Sequence, residues 1–271
     1  MSKTKIAWAT HSINPIRVKG GGWHCTKISA GCKNCYSETM NMRFGNKKSY
    51  DNSPVEFELD LSCFDKLPKT KPAIVFVQSM SDLFHEDVPF EMIDRIMDKI
   101  FNAKQHKFLI LTKRPDKMAE YFLSIDIRML LTSFWPFNNV WLGVTAENQE
   151  MADKRIPILL QIPAAVRFVS FEPLLGDMHL LNINGALHSW QTDGHGNLGD
   201  IDKGKIDWVI IGAESGHKRR ECKIEWVRSI VEQCDDTGVP CFVKQLHING
   251  KVSHKMNEWP EDLRVQEYPQ L

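Results

Sequence analysis

The sequence predicts an α/β protein, a parallel sheet covered by helices in the form of a full or partial (β/α) barrel. Three observations predict it. Short apolar strand runs alternate with stretches of helical periodicity. Those strand runs are nearly continuously hydrophobic, as strands buried on both faces must be. Several also end in polar or charged residues, and in α/β barrels the site sits at the carboxyl ends of the strands.

The elements follow in order. "KIAWAT" (5–10) reads as a first strand, just before a cysteine cluster. "RFGNKKSYDNSPVEFE" (43–58) reads as loop, or as the end of a helix that breaks near Gly45. "AIVFVQ" (73–78) is a β-branched strand. In "PFEMIDRIMDKIFNA" (89–103), Phe90, Ile93, Ile96, Met97 and Ile100 recur at helical spacing behind Pro89. "HKFLILT" (106–112) is a strand and "RPDKMAEYFLS" (114–124) a helix. "VWLGVT" (140–145) is a strand, and "ENQEMADKRIPILLQI" (147–162) a helix interrupted around Pro157. "VRFVSFEPLL" (166–175) and "DWVIIGAES" (207–215) are strands. "KIEWVRSIVEQCDDTG" (223–238) is a helix closed by glycine, and "PCFVKQ" (240–245) a last strand. The domain reading is one barrel over 1–248, with a Gly-, Asp- and His-rich loop or hairpin inserted near 182–205. Residues 249–271 form a polar tail packed on the surface.

A chain of 271 residues with 42% hydrophobic content supports a sizeable core. Its 34 basic and 34 acidic residues cancel, which argues against a general nucleic-acid coat but not against a local basic patch. No signal peptide and no apolar run of about 18 residues stands out, so a cytoplasmic protein without membrane partners is expected.

Three of the seven cysteines, Cys25, Cys32 and Cys35, lie within "HCTKISAGCKNCY". In a reducing compartment such a cluster reads as metal binding. Zinc wants a fourth ligand, for which His11 is less awkward than His24. Three thiolates also suit a [4Fe-4S] cluster with one open iron, and ligand type does not separate the two. Cys63, Cys222, Cys234 and Cys241 read as buried apolar residues, without a second cluster.

The pieces "GCKNCYSE", "SMSDLFHEDVP", "LTKRPDKM", "VWLGVTAENQ", "RFVSFEPLLG", "DWVIIGAESG" and "GVPCFVKQ" span most of residues 5–246. On them the chain resembles a phage-associated, radical-SAM-like protein family. The spacing departs from that family's usual motif: six residues, not three, separate the first two cysteines. The resemblance implies a barrel of the radical SAM type, with Cys25, Cys32 and Cys35 holding a [4Fe-4S] cluster. It implies an enzyme that cleaves S-adenosyl-L-methionine with an external one-electron reductant and abstracts hydrogen from substrate. Tyr36 would approach the adenine. Ser79, Asp82, Lys113, Arg114, Thr145 and Glu147 are candidate cofactor contacts by their place at strand ends. Glu172, Glu214 and Lys244 are candidate catalytic groups. If phage-encoded, the protein would act in the host cytoplasm.

The substrate is expected to be a small molecule, nucleotide, base or nucleic-acid modification intermediate. Trp135, Trp190 and Trp208 are stacking candidates, with core packing the competing reading. Two alternatives remain at this point: a non-catalytic protein with a zinc or iron–sulfur site, and a zinc-dependent barrel enzyme.

Overall fold

The structure is a computed structural model that describes residues 1–124, 135–180, 183, 186–187, 205–216 and 218–270. Eleven strands are described: β1 Ser2–Lys3, β2 His11–Ile13, β3 Ile16–Val18, β4 Phe57–Leu59, β5 Ile74–Val77, β6 Lys107–Thr112, β7 Val140–Thr145, β8 Val166–Phe171, β9 Trp208–Gly212, β10 Cys241–Ile248 and β11 Lys251–Ser253. Five α-helices accompany them: α1 Tyr36–Phe44, α2 Phe90–Phe101, α3 Pro115–Leu123, α4 Gln149–Leu159 and α5 Ile224–Thr237. The chain divides into two compact units, Met1–Leu142 and Gly143–Leu271.

In the first unit β2, β5 and β6 pair in parallel, and β1 adds antiparallel to β2. The parallel strands carry Val75, Val77, Phe108, Leu109 and Ile110, all buried, as their sequence demands. Against them α2 turns Ile93, Ile96, Met97 and Ile100 inward. Each such side chain stabilises the fold by about 1.5–3 kcal/mol. The first strand is displaced from its expected place. Residues 5–10 are not a strand; β2 begins at His11. A second, antiparallel pair, β3 with β4, also escaped the sequence reading, because each has only three residues. Gln78 anchors that pair to β5. Its φ is +61°, a costly backbone for a non-glycine residue. The compensation is a two-point clasp: the Gln78 side chain accepts from Ile16 N at 2.9 Å and donates to Ile16 O at 2.8 Å.

In the second unit β8, β9 and β10 pair in parallel and β11 folds back antiparallel on β10. Gly143 in β7 leaves room for the Phe168 ring, whose carbons lie 2.6 Å from where a Cβ would stand. Asn148 caps α4 by accepting from Met151 N at 3.0 Å, worth about 1 kcal/mol. The helix runs through Pro157 to Leu159 instead of breaking there. Gly238 ends α5 with φ +66°, and Val239 N closes the turn on Cys234 O. The tail belongs to this unit's core: Trp259 and Leu263 are buried, and Val243 N donates to Val265 O. Most of the 182–205 insertion, with Trp190, lies outside the described residues.

Among the described residues no helix is long and apolar enough to cross a membrane.

Candidate functional site at the strand ends

In the first unit the polar strand ends close on one another. Asp82 accepts from Thr112 Oγ1 at 2.7 Å, Phe84 N at 3.0 Å and Lys113 N at 3.1 Å. It also pairs with Arg114 Nη1 at 3.3 Å, both side chains being buried. Arg114 has further partners on every nitrogen: Glu86 Oε2 at 2.9 Å, the Cys25 sulfur at 3.6 Å, Thr26 O at 3.2 Å and Thr26 Oγ1 at 2.5 Å. Burial pulls the Arg114 pKa down, but Asp82, Cys25 and Glu86 outweigh it and hold the guanidinium above its ordinary value. His85 lies beneath, its pKa lowered first by burial and then by Arg114. Asp87 N donates to its Nδ1 at 3.2 Å, the contact of a neutral ring.

This arrangement overturns the metal reading. Among the described residues no group of three or more His, Cys, Asp or Glu is placed to hold a metal ion. Each thiol is directed to its own local partner. Cys25 donates toward Thr26 O at 3.6 Å, Cys32 lies 3.9 Å from Ser29 Oγ, and Cys35 lies 3.0 Å from Ser37 Oγ. Burial pushes the Cys25 thiol up to about 12, although Arg114 opposes the shift. The [4Fe-4S] cluster, S-adenosyl-L-methionine as cofactor and the radical SAM enzyme built on them are therefore corrected. Cys25, Cys32 and Cys35 do not form the expected ligand set, and a zinc site meets the same objection. The Tyr36 hydroxyl donates to Ser79 O, and its ring stays half exposed. The Ser79 hydroxyl donates to Asn14 Oδ1 at 3.2 Å. Lys113 is the exception, a half-buried strand-end ammonium with no side-chain partner among the described residues.

The second unit is arranged differently. Thr145 and Glu147 are buried, and Arg155 ties them together through Thr145 O at 2.7 Å and Glu147 Oε2 at 3.0 Å. Glu214 is held by Arg220 through its backbone N–H at 2.7 Å and its guanidinium at 2.5 and 3.0 Å. That hydrogen bonding raises the Arg220 pKa. Glu172, just past the end of β8, and Lys244, inside β10 at its irregularity opposite the end of β9, form an ion pair and keep part of their surface exposed. Gly212, at the end of β9, lets Glu172 lie across it; a Cβ there would stand 3.2 Å from Glu172 Cγ.

Gln245 completes this set. Its Nε2 donates to Ala213 O at 2.5 Å and to Glu172 Oε1 at 3.2 Å. Both partners are acceptors, so the amide orientation is determined. Its Oε1 then has no donor among the described residues, although Gln245 is only 1% exposed. A buried acceptor without a donor costs about 1–3 kcal/mol. Sequence reasoning gives Glu172 and Lys244 roles at the site and counts Gln245 only among the polar strand ends, without a role. The available signal was a polar residue inside the apolar run "CFVKQL".

Elsewhere in this unit a cavity of about 780 Å³ is lined by Cys234, Asp235, Cys241, Glu267 and Tyr268, and none of the strand-end residues reaches it. Trp208 is core, its Nε1 donating to Glu267 O at 2.8 Å, and Trp135 stacks on Phe122 with centroids 4.4 Å apart.

No curated protein and no solved structure matches this chain. A family model does match, over residues 3–264, and the chain belongs to that family, described as a protein of unknown function, DUF5131.

Proposed function

We propose that the protein binds a small polar molecule of the nucleotide class at the carboxyl ends of β8 and β9, beside Lys244 and Gln245 of β10. The observation that carries this reading is the donorless Oε1 of Gln245, buried beside a partly exposed Glu172–Lys244 pair. An acceptor left in that state favours a ligand N–H or O–H. Glu172 adds a second acceptor, and Lys244 supplies an ammonium for a carbonyl or phosphate oxygen. A nucleobase edge with its phosphate offers that set of complementary groups. The carboxyl ends of parallel strands are where α/β proteins place such ligands.

The fold we infer with it is the singly wound, barrel-type α/β arrangement. Its support is that, within each unit, parallel strands neighbour one another in the order of the chain. The compartment we infer is the cytoplasm, consistent with seven free cysteines.

Titration calorimetry with a panel of nucleosides and nucleotides tests the reading. Saturable heats from one member, weakened at least tenfold in Lys244→Ala, are expected. A panel without saturable heats, or binding indifferent to Lys244→Ala, contradicts it.

A further inference from the structure

Helix α1 is inverted in polarity. Its buried residues are Ser37 and Asn41, while Tyr36, Met40 and Phe44 are 47%, 42% and 64% exposed. These three recur at four-residue intervals and so share one helix face. The inversion is built in. Asn41 accepts from Trp23 N at 3.0 Å and donates to Asn46 Oδ1 at 2.7 Å and Lys48 O at 2.9 Å. Gly45 packs so closely on Asn41 that a Cβ would overlap its Oδ1. A polar residue therefore anchors the helix and the loop behind it, and the apolar stripe is left outward.

The helix and the segments that flank it are also basic, in a chain whose net charge is zero. Lys33, Arg43, Lys47 and Lys48 are exposed and form no ion pair among the described residues. The one acid among residues 27–48, Glu38, is already paired with Lys27 at 2.7 Å. The next acid along the chain, Asp51, is turned onto Ser49 and Ser53. The Arg43 guanidinium lies over the Phe44 ring, 4.9 Å from its centroid. Flat aromatic surface, a stacked guanidinium and uncompensated cations together complement a chain of bases and phosphates. A helix of nine residues offers little apolar area for insertion into a lipid surface.

We infer that the outward face of α1, with Met40, Arg43 and Phe44 and the flanking Lys33, Lys47 and Lys48, docks single-stranded nucleic acid. Phe44 and the Arg43 plane supply stacking, and the four cations meet phosphates. Fluorescence anisotropy of the full chain with a labelled oligonucleotide of about 16 nucleotides tests this. If each cation neutralises one phosphate, affinity falls about 50-fold between about 50 and 200 mM salt. Phe44→Ser weakens binding about tenfold. The pair Lys47→Ala and Lys48→Ala roughly halves the salt dependence. All three positions are exposed, and an unchanged circular dichroism spectrum verifies the fold. Absence of binding overturns the inference, as does binding that these variants leave intact. So does a stripe that instead mediates self-association in sedimentation, or attachment to anionic phospholipid vesicles.

Discussion

The strand ends of the two units use similar residues to opposite effect. Asp82 and Arg114 in the first unit form a buried pair whose remaining hydrogen-bonding positions are filled from Thr112, Lys113, Glu86, Thr26 and Cys25. Glu172 and Lys244 in the second unit form a partly exposed pair beside Gln245, whose carbonyl oxygen has no donor. The first cluster is complete by itself and acts as a latch that joins the 24–26 segment to the ends of β5 and β6. The second is incomplete by one donor. Charged residues at strand ends are thus not a site by their presence alone; the difference lies in whether their hydrogen-bonding capacity is already used.

Substitutions that break each cluster separate these roles. Arg114→Ala leaves Asp82 buried and uncompensated, and it is expected to cost about 3–5 kcal/mol. Lys244→Ala, at a pair that keeps 16% and 18% of its side-chain surface exposed and leaves Glu172 its bond from Gln245, is expected to cost less, about 1–3 kcal/mol. Chemical denaturation of both variants measures the contrast, and equal losses would erase it. Gly212→Ala comes next. The added methyl would press on Glu172 Cγ at 3.2 Å, so a loss of about 1–3 kcal/mol and weaker ligand binding are expected from the same denaturation and calorimetry.

A pH titration probes the latch through His85 and its neighbour His24, with His247 of the second unit shifted in the same direction. Burial is the main cause that holds His24 and His85 below 6.5. Below that value the unfolded chain binds protons that the folded chain refuses, so stability falls as pH drops from about 7 toward 5. The loss continues until the folded-state values are reached, at up to about 1.4 kcal/mol per pH unit for each histidine. His85→Gln should flatten the melting-temperature profile across that range; an unchanged slope would remove His85 from the account. The smallest effect concerns Cys25. With its thiol pushed up to about 12, alkylation by iodoacetamide at pH 8 should be slow in the folded protein and fast after denaturation. Rapid modification of the native chain would show a thiolate there and reopen the reading of the cysteine cluster.

The alternation of strands and helices was legible because buried parallel strands and amphipathic helices leave distinct periodicities. Ile93, Ile96, Met97 and Ile100 marked α2 to within two residues of each end. The three-residue strands β2, β3 and β4 were not legible, since such runs carry no periodicity and depend on the Gln78 clasp, a contact between residues 62 apart. At the site, spacing drew attention to Cys25, Cys32 and Cys35 but said nothing of where each thiol points. Glu172 and Lys244 stood out as charges closing apolar runs, although β10 continues past Lys244 to Ile248. Their pairing, and the donorless oxygen of Gln245, depend on Gly212 and on the register of β9 with β10, neither of which a sequence displays.

The central contrast is tested most directly by the rise in melting temperature that a saturating nucleotide from the panel produces in three proteins: wild type, Lys113→Ala and Gln245→Leu. Lys113 is a strand-end cation of the first unit with no side-chain partner among the described residues, and Gln245 carries the acceptor that lacks a donor in the second. A rise is expected in wild type, the same rise in Lys113→Ala and none in Gln245→Leu. A rise that survives in Gln245→Leu and disappears in Lys113→Ala would place the ligand on the first unit and contradict that contrast.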